Sequence, residues 1–403
     1  MLFVGDIHIH PRYGTMTLDT IREYIAQFPD EKNIIFLGDY VYHFSYHRPS
    51  LLALLDLFIE LAWENKHVYV LTGNHDRLGQ HFVFSETLKI LQQQQHPFLH
   101  IITEPIVYTI EHKEILFLPY LLSRARYQPQ KTNYPDFDAK LQILQESNNT
   151  NENDSYLLNT YIEDQRTQYD HLLIIHHYYT AHTIFPGIKS QFFYKDKAIS
   201  PHFLEKKNIQ FVSGHIHHSF SYKNYLCLGA VRSTSPLETN TLQWLTRYDT
   251  SNNTRALHQV AINPYLSLSN TPEQLTIENI TQHWEELQAK TNDIFLSESF
   301  ALQIQYCPLP LARATITLYS DEISYETMDV HIAPEIRQQL RDIQLKQKPL
   351  LIDQATKDLV DGASDFSSSW SNRRQLLHDY LERKYGEKKS EYIQLLDDSD
   401  IKF

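Results

Sequence analysis

The 403-residue sequence predicts an α/β protein, and three observations carry that prediction. Short apolar runs, beginning with Phe3-Val4, Ile34-Ile35-Phe36-Leu37 and Val68-Tyr69-Val70-Leu71, alternate with segments of helical spacing. Each run closes on an acid, an amide or a histidine. Such endings recur along the chain rather than once. Strands alternating with helices read as stacked βαβ units, and loops past the carboxyl ends of their strands form the ligand crevice.

The elements are taken in chain order. Phe3-Val4-Gly5-Asp6-Ile7-His8 is an apolar strand ending in Asp-x-His, and alternate residues of an extended segment share a face. Thr17 to Phe28 has helical spacing, with Leu18, Ile21, Ile25 and Phe28 on its apolar side. Asn33 to Leu37 is a second strand, ending in Gly38-Asp39, and Pro49 to Trp63 is a strongly apolar helix. Val68 to Leu71 delivers Gly73-Asn74-His75-Asp76. Phe82 to Gln95 reads as a helix, and Ile115 to Leu118 as a strand ending at Pro119-Tyr120. The polar stretch 128–170, with its Asn-rich patch around residues 147–153, reads as a surface loop. His171 to Ile175 then leads into His176-His177, and Asn208 to Val212 into Ser213-Gly214-His215-Ile216-His217-His218.

Composition narrows the function. A formal net charge of −13 argues against a generally basic nucleic-acid-coating protein, while leaving room for a nuclease with a small phosphate-contacting patch. Met1-Leu2-Phe3-Val4 runs straight into a strand with no charged-then-apolar leader, so an unexported protein is expected. No apolar stretch reaches membrane-spanning length. The two cysteines, Cys227 and Cys307, make no disulfide framework and suit a reducing cytoplasm. Both lie in apolar, strand-like contexts that suggest inert thiols. The unusual count is 22 histidines, and their clustering is what matters.

Collected, the strand ends offer Asp6, His8, Asp39, Asn74, His176, His215 and His217. Two hard divalent ions about 3.5–4 Å apart need a shared oxygen and several neutral imidazoles, and this set supplies both. Asp39 is the natural bridge, with Asp6, His8 and His217 on one ion and Asn74, His176 and His215 on the other. Water held between two cations is acidified into a nucleophile for in-line attack on phosphorus. His75, paired to Asp76, is then placed to stabilise charge or protonate the leaving oxygen. A lone Asp-x-His or His-x-His is more often ordinary surface or hydrogen-bonded core; five such pieces, each at a strand end, are not. His10, His43, His47, His177 and His218 flank these segments and read as structural.

The order Asp-x-His, Gly-Asp, Gly-Asn-His-Asp, His, Gly-His-x-His resembles the calcineurin-like metallophosphoesterase superfamily. The resemblance implies a four-layer αββα sandwich over roughly residues 1–250, with the dimetal site at its edge. Within that superfamily, Arg48-Pro49-Ser50 opening a helix, Leu118-Pro119-Tyr120, and Leu228-Gly229-Ala230 followed by Ser233 and Ser235 look like the SbcD-type repair exonucleases. That branch places a second histidine three residues after the bridging aspartate; here Tyr42 stands there and His43 comes next, so His43 is the substrate-positioning candidate. The branch's Gly-Ser turn is Gly229-Ala230 in this chain.

The resulting division is a dimetal phosphoesterase domain at 1–260, a small α+β capping domain at 261–332 and C-terminal helices at 333–403. The capping domain rests on a helical run at Leu275–Thr291 and strand-like stretches at Phe300–Tyr306 and Ala314–Leu318. Pro334 to Val360 and Trp370 to Leu396 read as two helices, a docking element for an SbcC-type SMC-like ATPase. The resemblance also implies a homodimer through Thr17–Phe28 and Phe82–Gln95. The expected function is a metal-dependent DNA exonuclease and endonuclease subunit in repair or recombination. Two metal ions are expected, manganese first, with magnesium, iron or zinc as alternatives. A phosphatase or phosphodiesterase acting on a nucleotide or phosphoprotein is the competing reading, and a non-catalytic scaffold on the same fold the third.

Overall fold

The computed structural model describes residues 1–41, 47–78, 81–83, 97–120, 150–180, 198–234, 238–268, 275–293, 295–296, 301–319 and 332–346. Two seven-stranded sheets make the body of the protein. In the first, Leu2–Val4, Asn33–Phe36, His67–Leu71 and Leu99–Ile102 run parallel in chain order. On the far side of Leu2–Val4 the sheet continues antiparallel through Gln243–Asp249 and Thr254–Val260, then parallel to Ala301–Gln305. The second sheet is built on Lys113–Leu118, Leu172–His176, Ile209–Ser213 and Tyr225–Cys227, all parallel. Its edges are Ile106–Ile110 on one side and Phe220–Tyr222 with Phe295–Leu296 on the other.

The two-residue period of the strands sorts side chains into layers. Phe3, Ile35, Tyr69 and Leu71 meet Ile115, Phe117, Leu173, Ile175 and Val212 in one core between the sheets. Their neighbours Leu2, Val4, Ile34, Phe36, Val68 and Val70 face the other way. They pack under helices Gly14–Ala26 and Arg48–Trp63 through Leu18, Ile21, Ile25, Leu54, Phe58 and Leu61. On the second sheet Leu116, Leu118, Leu172, Ile174, Ile209 and Phe211 pack with Leu158 and Ile162 of helix Thr150–Gln168. Each such side chain contributes roughly 1.5–3 kcal/mol on burial. The layers run helix, sheet, sheet, helix, which is the αββα sandwich.

Local chemistry starts these helices where the sequence permits. His47 caps Arg48–Trp63 by accepting from the Ser50 amide (3.4 Å), and Pro49 occupies the first turn, where a missing N–H costs nothing. The Asn-rich stretch departs from expectation: residues 150–153 open a helix rather than continue a loop. Among the residues of that helix whose burial is described, Leu158 and Ile162 are the buried ones. The expected helix at Phe82–Gln95 lies almost wholly outside the described residues, with Phe82 itself in a short strand, His81–Phe82.

Residues 1–346 form a single compact unit, with no division at 260. Phe295–Leu296 and Ala301–Gln305 extend the two main sheets, and helix Ile277–Ala289 sends Ile280 and Trp284 into the inter-sheet core. Tyr265–Leu268, Thr315–Tyr319 and Asp342–Lys346 form a separate three-stranded parallel sheet. The last of these strands corrects the helix expected from Pro334 onward. Helix Pro334–Gln339 ends at an extended Leu340 (ψ 136°), and Asp342–Lys346 then pairs with Thr315–Tyr319. Residues 347–403, with the rest of the first expected docking helix and all of the second, lie outside the described residues. Among the described residues no helix is long and apolar enough to cross a membrane. Burial pushes the Cys227 thiol up to about 12 and the Cys307 thiol up to about 11, in keeping with inert cysteines.

Candidate metal centre

The polar cluster forms where strands of both sheets end on the same edge. Three of its members have left-handed backbones, His8 (φ 42°), Asp39 (φ 50°) and His215 (φ 76°). A non-glycine residue in that region costs on the order of 1–3 kcal/mol and persists only where surrounding structure imposes it. Glycines make the approach possible at two points. A Cβ on Gly73 would collide with Asp39 Oδ1, and one on Gly214 with Asp6 Oδ1.

Two groups of potential ligands result, sharing Asp39. Asp6, His8, Asp39 and His217 present ligand atoms within 4.8 Å of one another, and so do Asp39, His177 and His215. His8 Nε2 faces His217 Nε2 at 2.9 Å, and Asp39 Oδ2 lies 3.7 Å from His8 Nε2 and 3.1 Å from His177 Nε2. Asn74 Oδ1 sits 2.8 Å from His215 Nδ1 and 3.1 Å from His177 Nε2. Turned end for end, the same amide donates through its NH2 to the two Asp39 carboxylate oxygens at 3.1 and 3.2 Å.

The histidine that joins this cluster from the strand Leu172–His176 is His177. His176, expected as a ligand, is fully buried on the other face, beside Phe211 (5.8 Å) and Tyr225 (5.6 Å), where its Nδ1 accepts from the Tyr178 amide. Strand parity is the reason. His176 shares its face with Leu172 and Ile174, and His177 continues the face of Leu173 and Ile175.

The other expected residues divide between the site and its supports. The His75 amide donates to Asp39 Oδ1 (2.8 Å), and its half-buried ring stands edge-on to His8 at 5.2 Å. Asp76, expected as the partner of His75, commits both carboxylate oxygens to backbone amides. Oδ1 accepts from Tyr40 (2.6 Å) and Oδ2 from Gly73 (2.8 Å), so Asp76 braces the two loops that carry Asp39 and Asn74. His43 lies outside the described residues. His10 stacks on Tyr13, and His47 caps a helix.

Three further residues support the site; Glu238 and Arg232 carry no sequence motif, and Tyr120 closes the Leu118-Pro119-Tyr120 stretch. Glu238 Oε1 accepts from His217 Nδ1 at 2.6 Å. Buried Arg232 donates through Nε to the His8 carbonyl (3.0 Å). The Tyr120 amide donates to the Thr72 carbonyl (2.8 Å), tying the sheets together beside His215, whose ring lies 5.9 Å from that of Tyr120.

The electrostatics fit bound cations. Asp6 is wholly buried and its Oδ1 has no hydrogen-bond donor among the described residues, while Oδ2 accepts from the His215 amide (2.7 Å). Burial, with the Asp39 charge beside it, pushes Asp6 up to about 8. Burial works against the His177 charge too, but the charge of Asp39 outweighs it and carries the ring to about 9. His8 is held below its usual value by burial and then by the neighbouring His217. Carboxylate, amide oxygen and neutral imidazole are also the donors that hard and borderline divalent ions select.

Residues 1–219 match the family model for calcineurin-like phosphoesterases, a span containing every candidate ligand in both groups. No curated protein matches the chain. Among solved structures it is similar to a protein of unknown function from Aquifex aeolicus, with 16% identity. That alignment covers 45% of this chain and 81% of the other at a TM-score of 0.21, too slight to carry an argument. With more than half its length matched and a two-part ligand cluster where the sheets end, the chain belongs to the calcineurin-like phosphoesterase family and is a metal-dependent phosphoesterase.

Proposed function

We propose that this phosphoesterase is a nuclease, hydrolysing phosphodiester bonds of DNA in repair or recombination. The observation that carries the reading is a pair of arginines gathered on Tyr13, five residues along the chain from His8. Arg12 follows His8 and His10 on one loop, and its guanidinium lies 5.6 Å from the Tyr13 ring centroid. Arg341, from the segment before the strand Asp342–Lys346, lies 4.8 Å from the same centroid. Arg12 is half exposed and also reaches Asp342 at 3.3 Å. In a chain of net charge −13, paired cations close in sequence to a metal ligand are where a polyanion would be held.

Asp6, His8, Asp39 and His217 would hold one divalent ion, and Asp39, Asn74, His177 and His215 the other. Manganese suits such a donor set. When bound, the ions supply charge neutralisation and an acidified water for attack on phosphorus. The chain itself does three further things. Asp76 fixes the spacing of the Asp39 and Asn74 loops. Arg232 and Val41, bonded to the His8 carbonyl and His8 Nδ1 (3.0 Å), hold the His8 ring at its angle. His75 stands next to His8 on the partly exposed side, where it would protonate the leaving oxygen. A partner of the SMC-like ATPase type would dock on residues 347–403.

The test is hydrolysis by manganese-loaded protein of linear single- and double-stranded DNA, beside a simple phosphomonoester. DNA degraded by the wild type, lost in His75→Ala and weakened at least tenfold in Arg12→Ala/Arg341→Ala, is the expected result. Monoester cleavage with DNA untouched would overturn the nuclease reading and point to a small-molecule phosphatase.

A further inference from the structure

The imidazoles of the metal centre are not oriented alike. Three of them present Nε2 to the cluster and bind something behind Nδ1. For His8 and His177 that partner is a neutral carbonyl, Val41 O at 3.0 Å and Leu37 O at 2.9 Å. For His217 it is a carboxylate, Glu238 Oε1 at 2.6 Å. Glu238 is 6% exposed and its own geometry is fixed. The Thr234 amide donates to Oε2 (2.6 Å) and the Thr234 hydroxyl to Oε1.

The turn that presents Glu238 is clamped from outside the sandwich. Asn240, two residues on, adopts φ 60°, a conformation asparagine tolerates better than most residues. Its amide donates to the Tyr265 carbonyl (2.8 Å). Its side-chain Oδ1 accepts from the Ser267 amide (3.0 Å) and from His283 Nε2 (3.2 Å). Strand Tyr265–Leu268 and helix Ile277–Ala289 thus reach His217 through Asn240 and Glu238.

We infer that Glu238 is a positioning residue that makes the two metal sites unequal, the site of Asp6, His8, Asp39 and His217 being the tighter, and that Asn240 couples this asymmetry to the segment 265–289. The physical argument has two parts. A carboxylate behind an imidazole fixes the tautomer that leaves Nε2 free and raises the basicity of that nitrogen, which a neutral carbonyl does less well. It also adds a formal negative charge close to one half of the centre and not the other. A partner of this kind is typically worth about 10–100-fold in metal affinity. The inference rests on the metal-ligand geometry, independently of whether the substrate is DNA.

Calorimetric titration of the metal-free full chain with Mn2+ alone, without substrate, tests it. The expected wild-type isotherm has two steps, one tight and one weaker. Glu238→Gln, which keeps the size and an acceptor oxygen but removes the charge, should weaken the tight step about 10–100-fold and leave the weaker step in place. Asn240→Ala should weaken the same step by a smaller factor, and Asn240→Asp, which retains the acceptor for Ser267 and His283, should restore it. A single wild-type step, two steps unchanged in Glu238→Gln, or equal weakening of both would each overturn the inference. Because no substrate is present, failure of the nuclease reading leaves the titration untouched, and failure of the titration leaves the nuclease reading standing.

Discussion

At the scale of single residues, adjacent side chains with the same chemistry can have opposite roles. His176 and His177 are indistinguishable as residue types, yet one packs beneath a helix layer and the other faces Asp39 at 3.1 Å. Their parity along the strand separates them, but parity has meaning only once it is known which face meets the second sheet. The sequence places Asp6, His8, Asp39, Asn74, His215 and His217 at strand ends, but the reading drawn from it takes His176 as the ligand and His177 as structural, whereas the structure brings His177 into the cluster. Glu238 is not legible in the sequence at all, because it comes to His217 from a turn 21 residues later through tertiary packing. Asp76 illustrates a further limit. Its position beside His75 suggests a catalytic pair, whereas the amides of Gly73 and Tyr40 take up its oxygens. The histidine assignment predicts a clear contrast. His177→Ala should lose one of two manganese ions by elemental analysis, and His176→Ala should retain both while destabilising the fold by on the order of 3 kcal/mol, as truncation of a buried ring does.

At the scale of elements, the first three strands and the helices between them are legible because their apolar periods are long and unbroken. Gly14–Ala26 and Arg48–Trp63 lie within three residues of the starts and ends their spacing suggests. The segment Asp342–Lys346 reads as helix in the sequence because Pro334 opens a true helix, Pro334–Gln339, whose pattern suggests continuation, while the parallel partner that makes the later segment a strand lies over twenty residues away. One electrostatic tie between elements gives a pH signature. Glu31, just past the first helix, accepts from Arg247 Nε (2.7 Å) of strand Gln243–Asp249 and from the Met1 amino group (2.8 Å). Burial would raise Glu31, but these two cationic donors outweigh it and hold the carboxyl below its usual value. A depressed carboxylate contributes stability that is present above the unfolded value of about 4.3 and lost as pH falls through the lower folded one. Glu31→Gln should therefore cost roughly 1 kcal/mol in denaturant unfolding at pH 7. The deficit against wild type should close in acid. A deficit that stays constant well into acid would contradict this account of the pair.

At the scale of the whole molecule, the residues from 261 to 346 belong to the same unit as the phosphoesterase layers rather than forming a cap beside them. They extend both sheets, contribute Trp284 to the central core, and hold the turn behind His217. Local sequence patterns name several of these elements correctly but cannot say what they pair with, since strand partners are non-local. The account of function accordingly turns on the centre that all these layers position: two ion sites sharing Asp39, with His177 rather than His176 as a ligand. Anomalous X-ray scattering at the manganese edge from crystals grown with Mn2+ tests that most directly. The account predicts two peaks flanking Asp39, one within bonding distance of Asp6, His8 and His217, the other of Asn74, His177 and His215. A single peak, or manganese at His176, would contradict it.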